Sequence, residues 1–126
     1  MDNRLQELKF VLQTLDLPIT GQVRLIEDDC SRIEILAGAF AAAHHAVHAE
    51  TGGALTPEQA TTLAELDNRL ARVRQQSQAP LCSELAMRQS ADWRQVRKIA
   101  RQALVRFSWT LEVPPREALR SDRYPN

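Results

Sequence analysis

The chain has 126 residues, 44% of them hydrophobic and 25% charged, with 16 Lys plus Arg against 16 Asp plus Glu. That length supports one domain around one core, and the apolar share excludes disorder over most of the chain. A formal net charge of zero excludes a broadly cationic polyanion binder.

Met1 to Leu17 carries Asp2, Arg4, Glu7 and Lys9 among its leucines, which is not the pattern of a secretion signal. Two cysteines without such a signal predict free thiols in a reducing cytoplasm. The longest weakly polar stretch, Ile35 to Val47, is interrupted by Gly38, His44 and His45 and is shorter than the roughly 20 residues that span a bilayer. No membrane association is expected. Fourteen Arg against two Lys, with abundant Ala, suit a GC-rich bacterial genome.

Leu5, Leu8, Leu12 and Leu15 recur at steps of three and four, which predicts a first helix over residues 2–16 with one apolar face. Pro18 to Gly21 interrupts it. Val23, Ile26, Cys30, Ile33, Ala37, Phe40, His44 and Val47 then alternate steps of three and four without a break. This heptad seam predicts one long helix over residues 20–50, about 45 Å in length. Gly52 and Gly53 end it. Thr56, Pro57 and Gln59 supply a cap, a first-turn proline and a return hydrogen bond, so a third helix starts there and runs to residue 76 with Leu63, Leu66, Leu70 and Val73 inward. After Pro80, Trp93, Val96, Ala100, Ala103 and Phe107 mark a last helix that ends before Pro114. Leu81 to Gln89 is read as part of it, with an irregularity at Ser90; Ser90 or Asp92 capping a separate helix is the alternative.

Four helices joined by short connections predict an all-α, antiparallel up-down four-helix bundle over residues 1–112, with one long second helix. Residues 113–126, with three prolines and three arginines, form an extended C-terminal tail. The first helix is half as long as the second and reaches only Val23 to Ile33, which leaves the nearly apolar stretch after Ile35 short of a partner. A homodimer through Leu36, Ala37, Phe40, Ala41, His44 and Val47 covers it; the tail folding back is the alternative cover.

Three features bear on chemistry. His44 and His48 are one helical turn apart and share a face, a spacing that suits two ligands of one metal ion. Further ligands would come from Glu58 or Glu65 across the hairpin, but no second Glu-x-x-His unit completes a di-iron set, and a packed histidine is the commoner outcome at a seam position. Cys30 and Cys82 occupy inward positions about 13 Å apart along the bundle, beyond the reach of a disulfide. Glu27, Asp28, Asp29 and Glu34 lack a matching carboxylate pair elsewhere and read as a solvated face. No phosphate loop, nucleophile elbow or Cys-x-x-Cys is present, no cofactor is implied, and catalysis is not expected.

Charge is more informative. Residues 1–68 hold 4 basic and 11 acidic residues, a balance of −7, and residues 69–126 hold 12 and 5, a balance of +7. Arg94, Arg97, Lys98 and Arg101 line one face of the last helix, with a smaller basic face at Arg69 and Arg72. The stripe suits phosphates, but it also suits packing against the acidic helices. The reading is a small cytoplasmic adaptor or regulator that binds a protein partner. A nucleic-acid-binding regulator using the basic face is the second reading, and a metal-binding bundle using His44 and His48 the third.

Overall fold

The computed structural model describes residues 3–26, 32–51, 55–75 and 84–114. They form six helices and no strand: α1 (Asn3–Asp16), α2 (Ile19–Leu25), α3 (Arg32–Thr51), α4 (Pro57–Gln75), α5 (Glu84–Gln89) and α6 (Ala91–Arg106). The all-α expectation holds. None of these helices is long and apolar enough to cross a membrane.

The chain departs from the expected long second helix. Ile26 is extended (φ −129°, ψ 98°), although its amide still donates to the Gln22 carbonyl and closes α2. The carbonyl of Ile26, which a continuing helix would use, accepts instead from Nε of Arg32 (2.8 Å). Periodicity carried through this corner because both sides of it happen to bury residues in the same phase; it tested the repeat and not the continuity. Cys30 and the acidic residues Glu27, Asp28 and Asp29 lie outside the described residues, as do Cys82 and most of the tail.

At the other end, Ser90 ends α5 and caps α6. Its side chain accepts from the Trp93 amide (3.1 Å), satisfying one of the donors that a helix start leaves open. Two helices therefore replace the single one expected from Leu81 onward. The start of α4 is as expected: Thr56 Oγ1 accepts from the Gln59 amide (3.1 Å), and Gln59 Oε1 accepts from the Thr56 amide (3.0 Å). The two bonds close a capping box.

α6 ends in a Schellman turn. The Trp109 amide donates to the Leu104 carbonyl and the Ser108 amide to that of Val105, with Ser108 at φ 58° in the position that glycine usually takes. The turn brings Phe107 and Trp109 into a parallel stack, centroids 4.3 Å apart.

α1 packs on α3 and α6, α4 packs on the same two helices, and α2 lies against α1 and α5. Leu8, Val11, Leu12 and Leu15 of α1, Leu36, Phe40 and Val47 of α3, Leu63, Leu66 and Leu70 of α4, and Trp93, Val96, Ala100 and Leu104 of α6 fill the core between them. Burying such side chains stabilises by about 1.5–3 kcal/mol each. Several polar groups inside are tied to backbone. Gln22, fully buried, donates through Nε2 to the carbonyls of Thr14 (3.2 Å) and Leu15 (2.9 Å), and its Oε1 accepts from the Trp93 indole N–H (3.0 Å). One side chain thus joins the end of α1, α2 and the start of α6.

Candidate functional site

The six residues expected to meet a second copy do not form one surface. Leu36, Ala37, Phe40 and Val47 are buried within the chain, His44 is half-buried, and Ala41 is exposed. The cause is the corner at Ile26. Because α3 starts at Arg32, α1 lies along α3 itself and covers the residues that the long-helix reading left bare, while α2 turns to α5. What α3 does expose is the other side: Ile35, Gly38, Ala41, Ala42, His45 and His48, with Glu34 exposed at its start. That near-apolar composition on all sides was legible in the sequence; the side left open was not.

Among the described residues no group of three or more His, Cys, Asp or Glu is placed to hold an ion. His44 stacks on Phe40, centroids 5.4 Å apart and planes 29° from parallel. Burial, the largest influence, lowers its pKa below 6.5; the charge of Asp67 opposes this, and His48 and His45 add to it. The carboxylate acting on His44 is thus Asp67, and neither Glu58 nor Glu65, the two expected across the hairpin. An imidazole held neutral by burial must be charged at a cost as the pH falls, so the folded state binds fewer protons than the unfolded one below about pH 6.5. The stability that His44 contributes is full above that pH and declines as pH falls toward the lowered folded-state pKa. Denaturant unfolding at a series of pH values down to about 5 is expected to show this loss, and His44→Gln to flatten it.

Most of the basic stripe on α6 is engaged within the chain. Arg101 Nε donates to Asp16 Oδ1 (2.8 Å) and Nη2 to Oδ2 (3.5 Å), while Arg97 Nε donates to the Leu17 carbonyl (3.0 Å). Both acceptors lie at the C-terminal end of α1, where positive charge is stabilising. The hydrogen bond to Asp16, with its charge, raises the Arg101 guanidinium further above its already basic range. Arg94 donates to the Arg88 carbonyl, at 3.4 Å, and Lys98 is exposed. Elsewhere Arg69 meets Asp92 (3.4 Å) and Arg74 meets Glu34 (3.1 Å). Two of these ion pairs, Arg101 with Asp16 and Arg74 with Glu34, join the basic second half of the sequence to the acidic first half.

Arg101→Ala accordingly acts on folding. It is expected to lower stability by up to about 1 kcal/mol, a modest figure because the Arg101 end is open to solvent. Asp16→Asn should cost a similar amount and the double variant little more, measured by urea unfolding as a double-mutant cycle. Charge reversal at Arg97 and Arg101 would therefore report on the α1–α6 joint before it reported on a partner.

Two open grooves follow the α4–α6 seam. One of about 330 Å³ is lined by Pro57, Glu58, Thr61, Thr62, Glu65, Gln102 and Arg106. The other, about 370 Å³, is lined by Glu65, Asn68, Arg69, Gln95, Lys98, Ile99 and Gln102. Their charges are mixed, with Glu58 and Glu65 among the cations, so they do not form a phosphate track. They contain no Cys, Ser, His or Tyr to act as a nucleophile or proton carrier near neutral pH. Glu58 and Glu65 lie two turns apart along α4, about 10 Å, further than the carboxylate pairs that divide acid and base work.

No family model, no curated protein and no solved structure matches this chain. The site is therefore argued from its own residues. Sequence reading missed Gln22 and Arg32, both fully buried; neither sits in a motif, and their partners lie elsewhere in the chain.

Proposed function

We propose that this chain is a small non-catalytic interaction module, an adaptor or regulator of the cytoplasm, that binds protein through the outer face of α3. The observation that carries the reading is the composition of that face. From Ile35 to His48 the sequence has no Asp, Glu, Lys or Arg, in a chain where one residue in four is charged. The exposed positions of α4 and α6, by contrast, include Glu58, Glu65, Asp67, Arg72, Arg94, Lys98 and Arg106. Loss of charge from one exposed helix face, with Ile35 38% exposed at its edge, is the compositional mark of the centre of a protein contact.

The scaffold that holds this face is, in the same reading, an antiparallel bundle of α1, α3, α4 and α6. The closed ring of packing in which α1 and α4 each touch both α3 and α6 supports it. The intramolecular use of Arg97 and Arg101 favours a protein partner over nucleic acid.

The test is capture of partners by the tagged chain with one charge placed on each face. Ala42→Glu is expected to abolish capture, and Lys98→Glu to leave it intact with and without nuclease. The reverse outcome, with Lys98→Glu and nuclease each removing the captured material, would overturn the reading in favour of the basic face.

A further inference from the structure

All three histidines of the chain, His44, His45 and His48, fall within five consecutive positions, toward the C-terminal end of α3. Imidazole is the commonest protein ligand of transition metals, and the placement of these rings decides which of them can act together. We propose that His44 and His48 form a solvent-open chelate for one divalent transition-metal ion of the zinc, nickel and copper class.

Positions four apart on a helix carry their Cβ atoms about 5–6 Å from each other on one face. Two imidazole nitrogens on a tetrahedral ion, each about 2.0–2.1 Å from it, are about 3.3 Å apart, a gap that side-chain rotation closes. His44 is half-buried and its ring already rests on Phe40, with 5.4 Å between centroids. One ligand is therefore held before the ion arrives, and less freedom is lost on binding. His48 is exposed and supplies the motion, its ring swinging back over the turn that holds His44, the direction in which helical side chains lean. The two rings are close enough for the charge of His48 to act on His44. His45 stands about 100° round the helix from His44 and about 60° from His48, against about 40° between His44 and His48. The pair four apart is thus the better aligned.

Charge at the site suits a dication. Burial, the largest influence on His44, favours its neutral imidazole, the form that binds a metal. Asp67 of α4 is near enough for its carboxylate to act on the same ring. From Ile35 to His48 the helix carries no Lys or Arg to repel an ion, and His48 stands in its last turn, where the dipole favours positive charge. Two imidazoles select against Mg²⁺ and Ca²⁺, which take oxygen ligands. Among the described residues no third His, Cys, Asp or Glu completes a set. The remaining positions are left to water or to a ligand from another molecule, as suits an exchangeable ion more than a structural one. The site does not depend on which molecule the outer face of α3 meets.

Isothermal titration of the full chain without a histidine tag, with Ni²⁺ and Zn²⁺ as probes, is expected to show one ion per chain, and Mg²⁺ none. His48→Gln, at an exposed position, should fold as the native chain does and bind both ions at least about tenfold more weakly, the least that loss of a ligand costs. His44→Gln should do the same, while His45→Gln leaves the affinity unchanged. In urea unfolding, an ion at about 100 times its Kd should raise the ratio of folded to unfolded chain by up to about a hundredfold, a gain that His48→Gln loses. Absence of binding by either ion up to about 1 mM overturns the proposal. Binding that survives in the His44→Gln, His48→Gln double variant also overturns it, placing the ion elsewhere, and so does binding that His45→Gln removes. Ala42→Glu keeps both histidines, so the capture experiment and the metal titration fail or succeed separately.

Discussion

Trp93→Ala is expected to lower the free energy of unfolding by about 3–5 kcal/mol, the upper range for truncation of a buried side chain. Trp93 is fully buried at the start of α6, and its indole N–H is held by Gln22 Oε1 at 3.0 Å. Truncation opens a cavity and leaves that oxygen without its donor, and each loss alone is costly. Trp93→Phe should separate the two. It keeps most of the ring volume and removes the donor, so the expected cost falls to about 1–3 kcal/mol. Gln22→Leu removes the acceptor and both donors to the Thr14 and Leu15 carbonyls at once, and is expected to cost more than Trp93→Phe although it changes less volume. Urea unfolding of the single variants and the double variant gives the coupling; additive costs would show that Gln22 and Trp93 do not act as one joint. A domain of this size has about 5–15 kcal/mol of stability, so Trp93→Ala alone removes about a fifth of it or more.

Arg32→Ala is expected to cost about 2–4 kcal/mol, an effect that no surface arginine would produce. Arg32 has no exposed surface. Its Nε holds the Ile26 carbonyl at the corner between α2 and α3, and Nη1 lies 3.5 Å from the sulfur of Met87 on α5. A cation at the first residue of a helix opposes the helix dipole, so its place there is justified by what it binds and not by local preference. Arg32→Met tests this. It restores much of the packing but none of the donors, and should recover only part of the loss. Full recovery would show that the site needs volume and not a guanidinium. The measurement is again the unfolding free energy, with circular dichroism of the native baseline to establish that the corner variant is still helical.

The parts of the fold that were legible in the sequence are those whose causes are local. Thr56 and Gln59 are three residues apart and bond each other, so the start of α4 could be read from the two residues alone. Ser90 was visible as an alternative cap for the same reason; its bond to the Trp93 amide decides it. Leu8, Leu12 and Leu15, and Leu63, Leu66 and Leu70, were recognisable because one face of each helix is buried along its length. The corner at Ile26 was not, because the apolar repeat continues across it and the interaction that holds it comes from Arg32, six residues on. Gln22 gave no signal, since one of its partners lies 71 residues away. The candidate sites divide in the same manner. The cations of α6 could be read from the sequence, but that Arg97 and Arg101 bond Leu17 and Asp16 depends on how α6 meets α1. The apolar character of Ile35 to Ala43 was plain, yet the choice of open side followed from α1 reaching α3, which the long-helix reading denied. The proposed surface moved from the Phe40 side of α3 to the Ala42 side for that reason alone.

The claim that the outer face of α3 is the working surface can be tested in the cell without knowing the partner. A photo-crosslinking amino acid at Ala42, compared with the same residue at Lys98, reports what touches each face in place, whether a second copy or another protein. Covalent protein adducts from position 42 and none from position 98 are the result expected here. Adducts confined to position 98, whether to protein or to nucleic acid, would contradict the assignment and return the function to the basic face of α6.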